Sequence, residues 1–320
     1  MSAVGTTTDT GPTLVALDTD LAMGAPGSDI DDGFALALAL GDPGIDLRLV
    51  TTVAGNTDVT TATTLTYALL DRIGADVEVR AGAARALLHP AERFGTLPAD
   101  VVPRGAPPPH AAVALSELVH AHPGEVTVVA VGPLTNVALA MLLDAGFASE
   151  LGALVVMGGV FAGATGTVQM PGEFNVWSDP DAVRVVLQSG VVASWVGLDV
   201  TRQVRIERDA ASRMAAETHP FTAFAGRCTA AWIDHLAESE DPGTTSCPLH
   251  DPLAVAAVTR PDLLTFTEAH VEVQLDGTAR GVLAADLPAR PGGAEVNARV
   301  ATAVDAAGFT DHLTACLRRL

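Results

Sequence analysis

The sequence predicts an α/β fold: an open, mostly parallel, doubly wound sheet with helices on both faces, closed by a C-terminal hairpin and helix. Three observations predict it. Short apolar runs alternate with Ala/Leu-rich stretches of helical period. Glycine, proline or aspartate bounds most of these runs. The 320 residues are 48% apolar, enough for one sizeable buried core.

The elements follow in order. Residues 1–12 are polar and are expected as a disordered tail before a single domain over 13–320. Leu14–Leu17 reads as a buried strand, and Asp32–Leu40 as a helix stopped by Gly41 and Pro43. A strand at Leu47–Ala54, a helix at Val59–Ile73 and a strand at Val77–Arg80 come next. Further strands are expected at Val126–Val131, Ala153–Met157 and Val192–Gly197, separated by helices at Leu134–Leu143 and Asp181–Gln188. Phe221–Leu236 reads as a helix, His270–Gln274 with Gly281–Ala285 as a hairpin, and Phe309–Leu320 as a closing helix. Gly82–His110 breaks the rhythm: it is proline-rich and aperiodic, and loops of that length usually carry function.

Bulk properties narrow the classes. The formal charge of −20 repels phosphate backbones, so no nucleic-acid polymer is expected as a partner. No apolar run approaches the ~20 residues of a bilayer span, so no membrane partner is expected either. The first residues lack the basic and apolar regions of a signal peptide. Cys228, Cys247 and Cys316 are widely spaced and form no CxxC pair, which suits the cytoplasm.

The chemistry concentrates after the first strand. Leu14-Val15-Ala16-Leu17 runs into Asp18-Thr19-Asp20, then a glycine-rich excursion, then Asp29-Ile30-Asp31-Asp32 and a helix. Aspartates crowded at the carboxyl end of a strand repel one another unless a cation is present, and hard cations take such oxygen ligands. Singly, each also fits a cap or a turn: Asp31 fits an N-cap and Asp32 a first helical turn. Elsewhere, Glu173 and Asn175 alternate around Phe174, as on one face of a strand. Asp179-Pro180 and Asp251-Pro252 both fit an N-cap followed by proline. Thr135 and Asn136 read as caps of the helix after them, Asp199 as structural, and Met157 alone as core. Trp232 and His235, three apart on a helix, share a face.

The acidic loop resembles the signature of the nucleoside hydrolase family, of inosine-uridine preferring type: Asp-x-Asp-x-Gly-x-Asp-Asp before an Ala/Leu-rich helix. Val53-Ala54-Gly55-Asn56, Val131-Gly132-Pro133-Leu134-Thr135-Asn136, Val156-Met157-Gly158-Gly159, Glu173-Phe174-Asn175, Gly197-Leu198-Asp199-Val200-Thr201 and His250-Asp251-Pro252 agree in order, so the resemblance covers nearly the whole chain. It implies a hydrolase that cleaves the N-glycosidic bond of ribonucleosides to ribose and free base, working as a homodimer or homotetramer on a small-molecule substrate. It implies one Ca²⁺ held by Asp20, Asp32, the Val131 carbonyl and Asp251, binding the attacking water and the ribose 2′- and 3′-hydroxyls. Asp20 is then the general base. Asp31, Asn56, Glu173, Asn175 and Asp251 grip the ribose, with Met157 beneath it. His250 matches a histidine that protonates the leaving base in some relatives, and Trp232 can stack on that base with His235 as another proton donor.

Such residue types suit the reaction. Positive charge develops on the ribosyl ring as the bond breaks, and carboxylates stabilise it. A metal lowers the pKa of water, so an ordinary carboxylate can take its proton. The sequence also departs from the family pattern. Ten residues separate Asp20 from Asp31, where the short motif has three, and Asp29 is an extra carboxylate. Gly82–His110 lacks the His-Gly segment that many relatives place over the base, with His89 and His110 as substitutes. Thr167 falls where many relatives carry an asparagine at the ribose 5′ end. Two rivals remain at this level: a haloacid-dehalogenase-type Mg²⁺ phosphatase, from Asp18-Thr19-Asp20, and a ribose- or nucleoside-binding protein without turnover.

Overall fold

A computed structural model describes residues 11–88, 94–163, 165, 167–239, 241–290 and 292–320. His89 and residues 1–10 of the expected tail lie outside them. The strands, in chain order, are β1 (Thr13–Thr19), β2 (Ile45–Thr52), β3 (Glu78–Ala81), β4 (Val126–Ala130), β5 (Ala153–Met157) and β6 (Ala193–Val196). They continue with β7 (Arg205–Glu207), β8 (Ser246–Pro248), β9 (Leu264–Val273), β10 (Leu283–Asp286) and β11 (Ala298–Val304).

Nine of these form one sheet in the order β10-β9-β11-β6-β5-β4-β1-β2-β3. β1 pairs in parallel with both β2 and β4, and parallel pairing continues through β5 and β6 to β11. β9 and β10 add an antiparallel edge, the expected hairpin. β7 and β8 pair separately. The winding reverses at β1, because the chain first builds β2 and β3 on one side and then crosses to β4. In open α/β sheets ligands bind at such a switch point, outside the carboxyl ends of the strands.

Both faces of the sheet are buried, which is why its strands read as continuous apolar runs. Val15 and Leu17 of β1 point into one layer and Ala16 into the other. Helices Asp31–Gly41, Val59–Ile73, Pro220–Ser239, His250–Thr259 and Ala306–Leu317 contribute to the first layer. Helices Ala111–Ala121, Thr135–Leu143 and Pro180–Leu187 cover the second. Each large apolar side chain fully buried here, such as Phe34 or Phe309, stabilises the fold by roughly 1.5–3 kcal/mol.

Three local expectations are corrected. Glu173 and Asn175 do not share a strand face: Phe174–Ser178 is a short helix, and Glu173 caps it by accepting the N–H groups of Asn175 at 2.9 Å and Val176 at 3.1 Å. Thr135 and Asn136 cap nothing: Leu134 holds the N-cap position, and both side chains turn to other elements. Ile30, rather than Asp31, precedes the first helix, and Leu249, rather than Asp251, precedes His250–Thr259. Asp179 is a cap as expected, accepting the Ala182 N–H at 3.1 Å. His110 is one too, through Nδ1 and the Ala112 N–H.

The excursion between Asp20 and Asp31 is packed, not merely spanned. Leu21, Ala22, Met23 and Ile30 are buried. Gly24 takes a φ of +103°, and the Phe224 ring lies 2.8 Å from where a Cβ would stand. A Cβ on Gly27 would lie 3.6 Å from the His235 ring. The insertion therefore rests on helix Pro220–Ser239, which also carries Trp232.

Candidate active site

Four segments converge where the winding reverses. Asp20 follows β1, Asn56 follows β2, Val131 follows β4 and Met157 ends β5. Behind them Asp18 is fully buried. One of its oxygens accepts the Thr51 hydroxyl and the Asn136 amide, the latter at 2.7 Å. Asn136 also donates to the Thr52 carbonyl and accepts the Ala83 N–H, so one amide locks β1 to the ends of β2 and β3. Burial pushes the Asp18 pKa up to about 7.

Asp20 sits in front of this lock with no solvent exposure. One carboxylate oxygen accepts the Asn56 N–H at 2.6 Å, and the other has no partner among the described residues. Backbone closes around it: a Cβ on Gly55 would lie 2.0 Å from the Asp20 Oδ2, and one on Gly132 would lie 2.9 Å from Oδ1. Asp32 stands beside Asp20, accepting from the Thr19 hydroxyl and, at 3.1 Å, from the Asn56 side chain. Burial, and then the neighbouring Asp31, raise Asp32 to about 7. Burial, and then Asp32, hold Asp20 well above the usual carboxylate range.

The third wall is helix His250–Thr259. Asp31 Oδ2 accepts the His250 N–H at 3.0 Å and the Asp251 N–H at 3.4 Å, so the helix N-terminus faces a carboxylate. Burial, then Asp31 and Asp32, raise Asp251 well above its ordinary range. Carboxylate oxygens of Asp31, Asp32 and Asp251 all lie within 4.8 Å of one another. Buried carboxylates so close cannot all ionise without a compensating charge. Together with the unpartnered Asp20 oxygen, this all-oxygen set fits a hard divalent cation.

One cavity of about 550 Å³ opens in front of the cluster. Of the expected site residues, Asp31, Asn56, Val131, Met157, Thr167, Glu173, Asn175, Trp232, His250 and Asp251 line it. Asp20 and Asp32 are buried behind Asn56, and His235 is outside the lining. The Glu173 carboxylate is occupied by three backbone N–H groups, those of Gly159, Asn175 and Val176. Burial nonetheless pushes its pKa up. The Asn175 amide donates to the Val131 carbonyl at 2.8 Å, which leaves that oxygen a second lone pair. Trp232 and His235 share a helix face, as their spacing predicts, and their rings stack with centroids 5.2 Å apart. His250 Nδ1 lies 2.7 Å from the Thr201 hydroxyl, and burial lowers its pKa below the ordinary histidine value.

Some of the lining was not foreseen. Asp29, Arg202 and Arg205 reach the same cavity. Asp29 comes from the insertion, and burial followed by Asp31 raises its pKa. The two arginines carried no signal beyond their place after Asp199-Val200-Thr201. Asp199 holds the adjoining loop by accepting the Phe161 and Ala162 N–H groups at 2.8 and 2.9 Å.

Comparison with known proteins gives the family and the fold. The sequence pattern of the inosine-uridine preferring nucleoside hydrolases matches residues 15–311. A probable uridine nucleosidase 2 of Arabidopsis thaliana is 34% identical over 285 residues, covering 84% of each chain. The non-specific ribonucleoside hydrolase RihC of Salmonella agona is 34% identical over 305 residues, covering 92% of this chain and 94% of the relative. Among solved structures, a plant nucleoside hydrolase superposes with a TM-score of 0.85 at 28% identity, over 96% of this chain and 99% of its own. A purine-preferring ribonucleoside hydrolase from Gardnerella vaginalis gives 0.81 at 26% identity, over 95% and 98%. With its sheet order, its acidic switch point and a match over nearly its whole length, this chain belongs to the inosine-uridine preferring nucleoside hydrolase family.

Proposed function

We propose that the chain hydrolyses ribonucleosides to ribose and free nucleobase, with Asp20 as general base and a divalent cation, Ca²⁺, held at the acidic cluster. The observation that carries the reading is the unpartnered, fully buried Asp20 oxygen beside three carboxylates that converge at one point. Asp20, Asp32, Asp251 and the Val131 carbonyl would hold the ion, with Asp31 at its edge. When bound, the cation supplies Lewis acidity that lowers the pKa of water.

The protein groups do the rest. Asp20 receives the proton of the attacking water through the carboxylate oxygen that no other group engages. Asp31, Asn56, Asn175 and Asp251 offer donors and acceptors for paired ribose hydroxyls. Glu173 has its oxygens engaged by backbone, so it acts mainly by its negative charge, which favours the oxocarbenium-like ring. Met157 closes the floor with an apolar surface. Trp232 supplies a ring face for the leaving base, and His250, oriented by Thr201, a hydrogen bond to it. Thr167 bonds Gln169 in the loop over the cavity and can exchange that partner for the ribose 5′ end.

Product analysis tests the reading. Incubation with inosine or uridine should yield free base and ribose in equal amounts. A 2′-deoxy substrate should react at least ~10⁴-fold more slowly, because groups built for the missing hydroxyl are left unpaired. Equal rates on ribo- and 2′-deoxyribonucleosides would refute the placement of the ribose.

A further inference from the structure

A second ligand cluster lies at the other end of the first helix. Asp42 terminates helix Asp31–Gly41, eleven residues and about 16 Å from the acidic loop. His312 and Cys316 sit four apart on the last helix, Ala306–Leu317, and so share one face. The two helices are in tight contact here: a Cβ on Gly41 would lie 2.3 Å from the Cys316 carbonyl oxygen. His312 Nε2 is 3.0 Å from Asp42 Oδ2 and 3.8 Å from Cys316 Sγ. Oxygen, nitrogen and sulfur all lie within 4.8 Å of one another.

We propose that Asp42, His312 and Cys316 form a transition-metal site, suited to Zn²⁺, that clamps the last helix to the first. Carboxylate, imidazole and thiolate together are a zinc-type donor set, unlike the all-oxygen set of the acidic loop. The spacing fits as well. Bonds of about 2.1 Å to N and O and about 2.3 Å to S, at tetrahedral angles, put the N···O edge near ~3.4 Å and the N···S edge near ~3.6 Å. The observed 3.0 and 3.8 Å each differ from those edges by a few tenths of an ångström.

The surroundings orient the ligands. The Gly44 N–H donates to Asp42 Oδ1 at 2.9 Å, and the Thr259 hydroxyl donates to Oδ2 at 2.5 Å. Such supports fix a ligating carboxylate and are worth 10- to 100-fold in affinity at typical sites. Cys316 is fully buried and Asp42 nearly so, which limits competition from water. Three protein ligands leave one tetrahedral position for a solvent molecule.

Cobalt titration tests this on the whole protein, stripped of metal and then given excess Ca²⁺ to fill the acidic loop. Binding of Co²⁺ at Cys316 should produce a thiolate-to-cobalt charge-transfer band that saturates at one equivalent and vanishes on adding Zn²⁺. The band should be lost in Cys316→Ser and His312→Gln and kept in Cys247→Ser. Zn²⁺ should raise the melting temperature of the wild type and leave that of His312→Gln unchanged. Absence of the band in the wild type overturns the proposal and leaves a simple Asp–His hydrogen bond, whatever the folding of the variants. Persistence of the full band in Cys316→Ser overturns it equally. The readouts are independent of nucleoside turnover, so this site and the catalytic reading stand or fall separately.

Discussion

Asp31 Oδ2 accepts the backbone N–H of His250 at 3.0 Å across 219 residues of sequence. This contact ties the acidic loop to helix His250–Thr259 and makes one site of two distant segments. Asp31→Asn keeps an acceptor oxygen there and removes one of the clustered charges, so the melting temperature in chelator should not fall while cation affinity drops by roughly 10- to 100-fold. Asp31→Ala also strands the N–H, and should cost a further ~1–3 kcal/mol of stability. Denaturant unfolding and calcium titration of both variants separate the two effects.

Asp20→Asn should lower kcat by roughly 10²–10⁴-fold, the usual contribution of a positioned general base. The same change should stabilise the cation-free protein. It removes one of several buried like charges that oppose ionisation in the fold. Stopped assays and thermal melts in chelator check both halves, and a variant both active and less stable would contradict the assignment.

Gly55→Ala places a methyl 2.0 Å from the Asp20 oxygen. The carboxylate is buried and cannot step aside, so activity should fall by at least ~10²-fold, the known cost of a 1 Å misplacement near the chemistry. Steady-state kinetics beside a circular-dichroism check of the fold measures it.

Trp232→Ala should raise KM for every nucleoside while leaving ribose inhibition unchanged. Loss of a base stack of ~1–3 kcal/mol corresponds to about 5- to 150-fold. Equal weakening of ribose would place the indole against the sugar instead.

His120 gives a pH test remote from the site. Its two ring nitrogens contact Glu150 at 2.6 Å and Asp144 at 2.5 Å, and these partners raise its pKa above the ordinary value. A raised histidine binds its proton more tightly folded than unfolded. Its stabilisation is therefore complete below the unfolded pKa of about 6.5 and is lost as pH rises through the higher folded value. Melting of wild type and His120→Gln should differ at about pH 5.5 and converge once the pH has risen past the folded value, with the gap reduced by salt because the pair is exposed.

Much of this was legible in the sequence, for physical reasons. β1 and the helix Val59–Ile73 carry their own periodicity, and the shared face of Trp232 and His235 follows from helical spacing. The acidic loop was legible because crowded aspartates after an apolar strand have few other uses. Glu173-Phe174-Asn175 misled because three residues cannot distinguish a strand face from a capped turn. The N–H groups of Asn175 and Val176, which donate to the Glu173 carboxylate, decide for the capped turn. Asn136 looked like a cap because its true partners, Asp18 and Ala83, lie far away in the chain. The same distance hid the Asp42–His312–Cys316 cluster. The helix at Ala111–Ala121 and the strand β11 were overlooked beside a proline-rich loop and a glycine-rich tail.

The most direct measurement compares wild type and Asp20→Ala on inosine, adenosine, guanosine, uridine and cytidine, each with Ca²⁺ and with chelator. The wild type should release free base from at least one ribonucleoside with Ca²⁺, lose that activity in chelator and regain it when Ca²⁺ is restored. Asp20→Ala should be slower by at least ~10²-fold under every condition. Hydrolysis at the wild-type rate by Asp20→Ala, or nucleoside binding by the wild type with no base released in any condition, would contradict the catalytic role given to the acidic loop.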